Sequence, residues 1–259
     1  MQKVTTELRD GVLTVTLTDP EKRNVLSRQL SAEFVEALDR AESDDEVRVV
    51  VVTNEGHVFC AGADLSERSS GDDDGSGDAP TPVDPAQLFR RITNSRKPFV
   101  GRIAGHAVAG GMGLAAAMDL SVAVDDAKFG FTEVRIGVAP AVISVVCLPK
   151  MRRADAAAAF LRGNRFLAPD AARIGIINEA VPADELDATV DRIVADLLEG
   201  SPQGLAAAKE LMNRVPTMAA ADAFAWTAEL SSELFTSDEA QAGMTSYLEK
   251  KPPPWSPRS

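Results

Sequence analysis

A glycine- and alanine-rich turn, from Gly105 to Gly113, runs directly into an apolar helical segment, and the strand-like stretch 98–103 leads into it. Glycine lets a backbone pass close to a ligand with no side chain in the way. The helix that follows directs unpaired N–H groups and the positive end of its dipole back at that ligand. Such a turn can bind an anion or polarise a carbonyl oxygen. Tight packing of a helix on a strand uses the same residues, so this segment alone leaves both readings open.

A second segment adds weight to the first reading. The apolar run 47–53 reads as a buried parallel strand, and residues 57–65 follow it with the small residues Ala61, Gly62 and Ala63. In open α/β architectures ligands gather beyond the carboxyl ends of strands. Two small-residue turns after two buried strands can direct two N–H donors at one oxygen, which is an oxyanion hole.

The elements that must position these turns follow from hydrophobic periodicity. Residues 11–18 alternate apolar and polar, the period of a strand. A helix is expected from Ser27, with Leu30, Phe34, Val35 and Leu38 on one stripe. Residues 84–93 should be helical, and strand 98–103, helix 110–117 and strand 119–124 repeat a β-α-β theme. Past residue 140 the pattern turns helical, over 151–162, 169–174, 184–198, 201–214, 219–235 and 238–250. Only 177–181 interrupts it as a short strand. Prolines make the tail 251–259 non-helical. The expected organisation is an α/β core over 1–198 and a helical region over 199–259.

A chain of 259 residues, 45% apolar, has ample material for one large core. It has no apolar run that would span a bilayer, and its first residues lack an apolar signal segment. Two cysteines, Cys60 and Cys147, make no disulfide framework, and neither has metal-ligand company. A reducing cytoplasm is therefore the expected location. The net charge of −12 argues against a nucleic-acid partner, which needs basic clusters. Residues 66–84 are rich in Gly, Ser, Asp and Pro, and should form a mobile loop, either a lid over the site or a solvated tether.

Residues 59–65 (Phe-Cys-Ala-Gly-Ala-Asp-Leu), 105–114 (Gly-His-Ala-Val-Ala-Gly-Gly-Met-Gly-Leu) and 129–137 (Phe-Gly-Phe-Thr-Glu-Val-Arg-Ile-Gly) resemble the signature segments of the crotonase superfamily, the enoyl-CoA hydratases and isomerases. Stretches 17–26 and 243–250 match as well, so the resemblance covers nearly the whole chain. It implies an α/β fold, the crotonase (ClpP-like) spiral of ββα units, with a helical C-terminal trimerisation region and a homotrimer or dimer of trimers. The implied ligand is an acyl-CoA thioester, with no separate cofactor and no metal. Because that ligand is an anion on an acidic protein, local cations must attract it, and Lys22, Arg23 and Lys250 are the candidates.

The resemblance assigns the oxyanion donors to the N–H groups of Ala63 and Gly110. It places Ala61, Asp64, Leu65 and Gly111 beside the ligand, and Tyr247 and Lys250 at a coenzyme A site, often that of a neighbouring subunit. Hydratases with two catalytic glutamates carry one in each of the last two signature segments. Here the second is present as Glu133, while Gly113 stands where the first would be. The run 136–146, with Gly137 and a Pro-Ala-x-Ile-Ser sequence, resembles the methylglutaconyl-CoA hydratase branch and adds the bulk of Val142, Ile143 and Val145 beside the acyl chain.

Three functions fit these residues. One is a hydratase that adds water to a 2-enoyl-CoA with Glu133 as its single carboxylate. The second is a Δ3-Δ2-enoyl-CoA isomerase, for which one carboxylate moving one proton is enough. The third is a non-catalytic acyl-CoA-binding protein, favoured if Glu133 points away from the pocket. Among the other polar residues, Asp64 is expected to brace its loop, Glu67 to face water, His106 to serve packing, Asp119 to anchor a helix-to-strand junction, and Cys60 to act as a small buried hydrophobe.

Overall fold

The computed structural model describes residues 1–69 and 83–256. The chain opens with strands β1 (Val4–Arg9) and β2 (Val12–Leu17), then helix α1 (Arg28–Ser43), β3 (Val49–Asn54), β4 (Val58–Cys60), α2 (Leu65–Ser69) and α3 (Pro85–Asn94). The middle holds β5 (Phe99–Ile103), β6 (His106–Val108), α4 (Gly110–Ala117), β7 (Leu120–Val124), β8 (Lys128–Gly130) and α5 (Ala141–Cys147). Then come α6 (Arg153–Arg162), β9 (Phe166–Leu167), α7 (Ala168–Arg173), β10 (Glu179–Val181), α8 (Leu186–Glu199), α9 (Pro202–Arg214), α10 (Ala220–Thr236) and α11 (Asp238–Glu249).

Two sheets organise these elements. One has the order β1-β2-β3-β5-β7-β10 and is parallel except for the β1-β2 hairpin; the other has the order β4-β6-β8-β9, with only β9 antiparallel. Three times in succession a strand of the larger sheet is followed by a strand of the smaller one and then a helix: β3-β4-α2, β5-β6-α4 and β7-β8-α5. This is a spiral of ββα units. Helices α6 to α11, broken only by β9 and β10, form the C-terminal part.

The hydrophobic pattern explains the layering. All six residues of β3 are buried, as a strand covered on both faces requires, whereas β2 alternates. The β1-β2 hairpin turns at Asp10 and Gly11, both at positive φ, the primed turn that suits the twist of paired strands. Ser27 caps α1 by accepting from the Leu30 N–H at 3.2 Å, and Leu30, Phe34 and Leu38 of the predicted stripe are buried while Val35 packs at the margin.

Helix α4 differs from all of these. Residues 111–117 are buried on every side, which only a helix of small and apolar residues tolerates. Its C-terminal junction is held by Asp119. The Asp119 carboxylate accepts from the Phe99 N–H at 2.8 Å and from the buried Lys209 ammonium at 2.7 Å, tying α9 to the core. Lys209 also donates to the carbonyls of Ile92 and Lys97. Burial raises the Asp119 pKa and lowers that of Lys209.

Some expectations change. The stretch 66–69 is part of helix α2, not loop, and residues 70–82 of the expected mobile lid or tether lie outside the described residues. Glu67 does not simply face water: it accepts from the Arg28 N–H at 2.9 Å, joining α2 to the first turn of α1. The run 141–147 is a helix, α5, where only apolar bulk was expected. Among the described residues, no helix is long and apolar enough to cross a membrane.

Candidate active site

The parallel strands β4, β6 and β8 end at one edge of the smaller sheet, and the turns that follow them meet there. The turn after β4 is Ala61 to Ala63. Gly62 takes φ +91°, and a Cβ on it would stand 2.9 Å from both the Gly110 nitrogen and the Ala109 Cβ, so the two glycine turns press directly on each other. Leu26 forms an isolated parallel bridge with Ala63, its N–H donating to the Gly62 carbonyl at 2.7 Å. In such a bridge the hydrogen bonds go to the residues flanking Ala63, and its own N–H takes no part in them.

The turn after β6 carries Ala109 at φ 49°, ψ −120°, a conformation that a residue with a Cβ rarely adopts. The strain is held by Ala109 N–H donating to the Gly130 carbonyl at 2.9 Å. It turns the chain into α4 so that Gly110 is the first helical residue, whose N–H has no partner within the helix. Gly111 is buried behind this turn, where a Cβ would collide with the Cys60 carbonyl.

The turn after β8 brings in Glu133, which opens a single 3-10 turn over Glu133–Ile136. Its side chain is half-buried, and Oε2 is buried with no hydrogen-bond partner. Burial raises its pKa above the ordinary 4.5, and only its own backbone N–H opposes the shift. A half-buried carboxyl with a raised pKa and an unpartnered oxygen is the kind of group that marks a candidate acid-base residue.

Ala63, Gly110 and Glu133 line one cleft of about 1140 Å³, together with Leu26, Ala61 and Leu65. Its apolar wall includes Phe89 of α3 and Val142 and Ile143 of α5, while Val145 points to solvent elsewhere. Gly113 lies beneath that wall. A Cβ there would strike the Ile143 side chain and stand 3.0 Å from the Phe89 ring. The space that a side chain at position 113 would need is filled by hydrocarbon.

The remaining predicted residues stand around the cleft or away from it. Lys22 and Arg23 are exposed at its rim: the Arg23 carbonyl accepts from the Ala61 N–H at 3.1 Å, and the Lys22 charge helps lower the Asp64 pKa. The larger cause of that shift is Ser66, whose hydroxyl donates to Asp64 at 2.6 Å, so Asp64 braces the start of α2 and is not on the cleft wall. Tyr247 and Lys250 are exposed on the last helix and its cap and do not line this cleft within one chain. His106 accepts from the Lys128 N–H at 3.1 Å, outside the cleft, and burial lowers its pKa. Cys60 is fully buried, its thiol pushed up to about 12.

Several residues escaped the sequence reading. Buried Asn24 donates to the Val58 carbonyl at 2.7 Å and accepts from the Asp19 N–H at 2.8 Å, pinning the 19–26 loop to β4. Arg135 and Arg165 line the cleft beyond Glu133. The polar residue inside the tight Lys-Arg-Asn run was a usable signal for Asn24, but nothing in the sequence pairs Arg165 with Glu133.

Comparison with known proteins agrees with this architecture. The family model described as enoyl-CoA hydratase/isomerase matches residues 7–258. A Thermus thermophilus protein with the provisional name of enoyl-CoA hydratase is 33% identical over 243 residues, covering 93% of this chain and 96% of that protein. A solved Mycobacterium avium paratuberculosis structure, under the same provisional name, is 41% identical with a TM-score of 0.73, covering 97% and 98% of the two chains. The Marinobacter aquaeolei enoyl-CoA hydratase/isomerase structure is 25% identical with a TM-score of 0.90, covering 99% and 100%. The chain belongs to the enoyl-CoA hydratase/isomerase family of the crotonase superfamily.

Proposed function

We propose that the protein hydrates a 2-enoyl-CoA thioester with Glu133 as its only acid-base group. The observation that carries this reading is the buried, unpartnered Glu133 oxygen in the same cleft as the Ala63 and Gly110 turns. The thioester oxygen accepts from the N–H groups of Ala63 and Gly110. That draws electron density away from the β-carbon and lets it accept a nucleophile. Glu133 takes a proton from water as the hydroxyl oxygen bonds to the β-carbon, and returns that proton to the α-carbon. The sum is one water added across the double bond, with the carboxylate regenerated.

Coenzyme A itself enters on the Ala61 side, where Lys22 and Arg23 supply positive charge, and Ala61, Leu65, Asp64 and Gly111 shape the turn it lies against. No separate cofactor or metal is required for this chemistry. The protein acts as a homotrimer or a dimer of trimers, and Tyr247 and Lys250 serve a site of a neighbouring copy. This is supported by Phe224, Phe235, Tyr247 and Leu248, all well exposed on α10 and α11.

The apolar filling above Gly113 favours a second reading, since a single carboxylate is sufficient for a Δ3-Δ2-enoyl-CoA isomerase. Rates of wild type and Glu133→Gln on crotonyl-CoA, 3-methylglutaconyl-CoA and a 3-enoyl-CoA decide between them. Hydration of a 2-enoyl substrate that depends on Glu133 supports the hydratase. Activity on the 3-enoyl substrate alone gives the isomerase. Tight binding of all with no turnover gives the non-catalytic binder.

A further inference from the structure

Helix α11 carries Tyr247 and ends on its cap Lys250, yet none of its residues is buried, so burial in the core does not fix its position. Contacts from outside the helix hold it instead. At its first turn the Glu239 carboxylate accepts from the Gln203 N–H of α9 at 2.7 Å. One turn further on, Gly243 meets the indole of Trp255, where a Cβ would stand 2.7 Å from the ring Cη2. Glycine is a poor helix former, and a glycine inside a helix calls for a packing reason of this kind.

The chain reverses after α11. Lys250 takes φ 56°, ψ 40°, with its N–H on the Ser246 and Tyr247 carbonyls, and the Lys251 N–H donates to the Ser246 carbonyl at 2.9 Å. Residues 251–256 then fold back as a strap over the junction of α8 and α9. The Trp255 Nε1 donates to the Glu199 carbonyl at 2.9 Å, and the Ser256 hydroxyl to the Glu199 carboxylate at 2.7 Å. Arg48, just before β3, anchors the strap from the core side. Its Nη1 donates to the Trp255 carbonyl at 2.9 Å, and its Nη2 to the carbonyls of Leu198 and Gly200 at 3.1 and 2.8 Å. One guanidinium thus joins the larger sheet, the end of α8 and the strap, through charge-assisted bonds stronger than neutral ones. Lys250 lies between two held points, Gly243 and Trp255.

We propose that Trp255 is a positioning residue for coenzyme A: the strap fixes the orientation of α11 and so pre-orders Tyr247 and Lys250 for the ligand. The inference deepens the reading above and rests on it, since there these two residues serve the site of a neighbouring copy. Side chains that are already in place lose less affinity to ordering when a ligand arrives. Trp255 acts through α11 and touches no ligand itself.

The test is calorimetric binding of crotonyl-CoA to the full chain as wild type and four variants, with solution mass measured alongside. The variants are Trp255→Ala, Gly243→Ala (which displaces the indole while suiting a helix), Tyr247→Ala with Lys250→Gln, and that pair combined with Trp255→Ala. Trp255→Ala is expected to weaken binding about tenfold, and Gly243→Ala to weaken it in the same direction. The Tyr247/Lys250 pair should lose at least as much. The combined variant should bind no more weakly than the pair, because effects that run through the same residues do not add. Wild-type affinity in both Trp255→Ala and Gly243→Ala overturns the inference while leaving the CoA reading intact. Losses that multiply in the combined variant show that the strap acts elsewhere, and the inference fails. It fails also if the Tyr247/Lys250 pair binds as wild type does, since nothing is then there to position. A smaller assembly in Trp255→Ala and Gly243→Ala than in wild type gives the strap a role in association and overturns the positioning role. No binding by wild type overturns the CoA reading and this inference with it.

Discussion

Ile143 occupies the space that a side chain on Gly113 would need. The two lie on α4 and α5, and Ile143 lines the same cleft as Glu133. The glycine is therefore part of the packing, and the missing second glutamate is a feature of the wall rather than a gap in it. We predict that Gly113→Glu destabilises the protein by at least about 1–3 kcal/mol, the usual cost of overpacking, and gains no hydratase activity. Adding Ile143→Ala should recover part of that loss. Urea denaturation reads both, and a fully stable, more active Gly113→Glu would refute the packing account.

Gly62 and Gly110 set the spacing of the two proposed donors. A Cβ at Gly62 meets the Gly110 nitrogen at 2.9 Å, and its φ of +91° disfavours any side chain. Gly62→Ala should lower kcat by about 10²–10³-fold, the scale of one lost oxyanion donor. The fall should exceed any change in KM. An unchanged kcat would show that the donor geometry does not depend on this contact.

The raised pKa of Glu133 also bears on stability. Its neutral form is favoured in the folded protein, so the carboxyl is harmless below the ordinary value of 4.5 and costs stability as pH rises towards the folded value. Glu133→Gln should therefore be more stable than wild type at neutral pH. The difference should vanish in acid, below the ordinary carboxylate range. Thermal unfolding across pH checks this, and a variant that is less stable at neutral pH would contradict it.

The exposed aromatic and aliphatic residues of α10 and α11 lead to a prediction for solution mass. Light scattering at micromolar concentration should give a trimer or a hexamer. A monomeric mass would contradict the proposed assembly and the role of Tyr247 and Lys250 in a neighbouring site.

Long periodic segments were readable from sequence: a helix expected over 219–235 is found at Ala220–Thr236, and one expected over 110–117 is Gly110–Ala117. The strands of the smaller sheet were not, because Val58–Cys60, His106–Val108 and Lys128–Gly130 have three residues each, too few to show a period. Helix Ala141–Cys147 was hidden by its three valines and an isoleucine, which favour strands when isolated and are helical here through packing on α4. The Ala63 and Gly110 turns could be found because small residues after strands carry a physical meaning. Glu133 needed the family resemblance, and Arg135 with Arg165 needed the antiparallel turn of β9, which no local pattern announces.

The central claim is that Glu133 moves the proton. It is tested most directly by the turnover of a 2-enoyl-CoA by wild type and Glu133→Gln under saturating substrate, with thioester binding measured alongside. The account predicts a loss of about 10²–10⁴-fold in turnover with binding retained, the usual contribution of a positioned acid-base group. Equal turnover in the two proteins would remove Glu133 from the reaction.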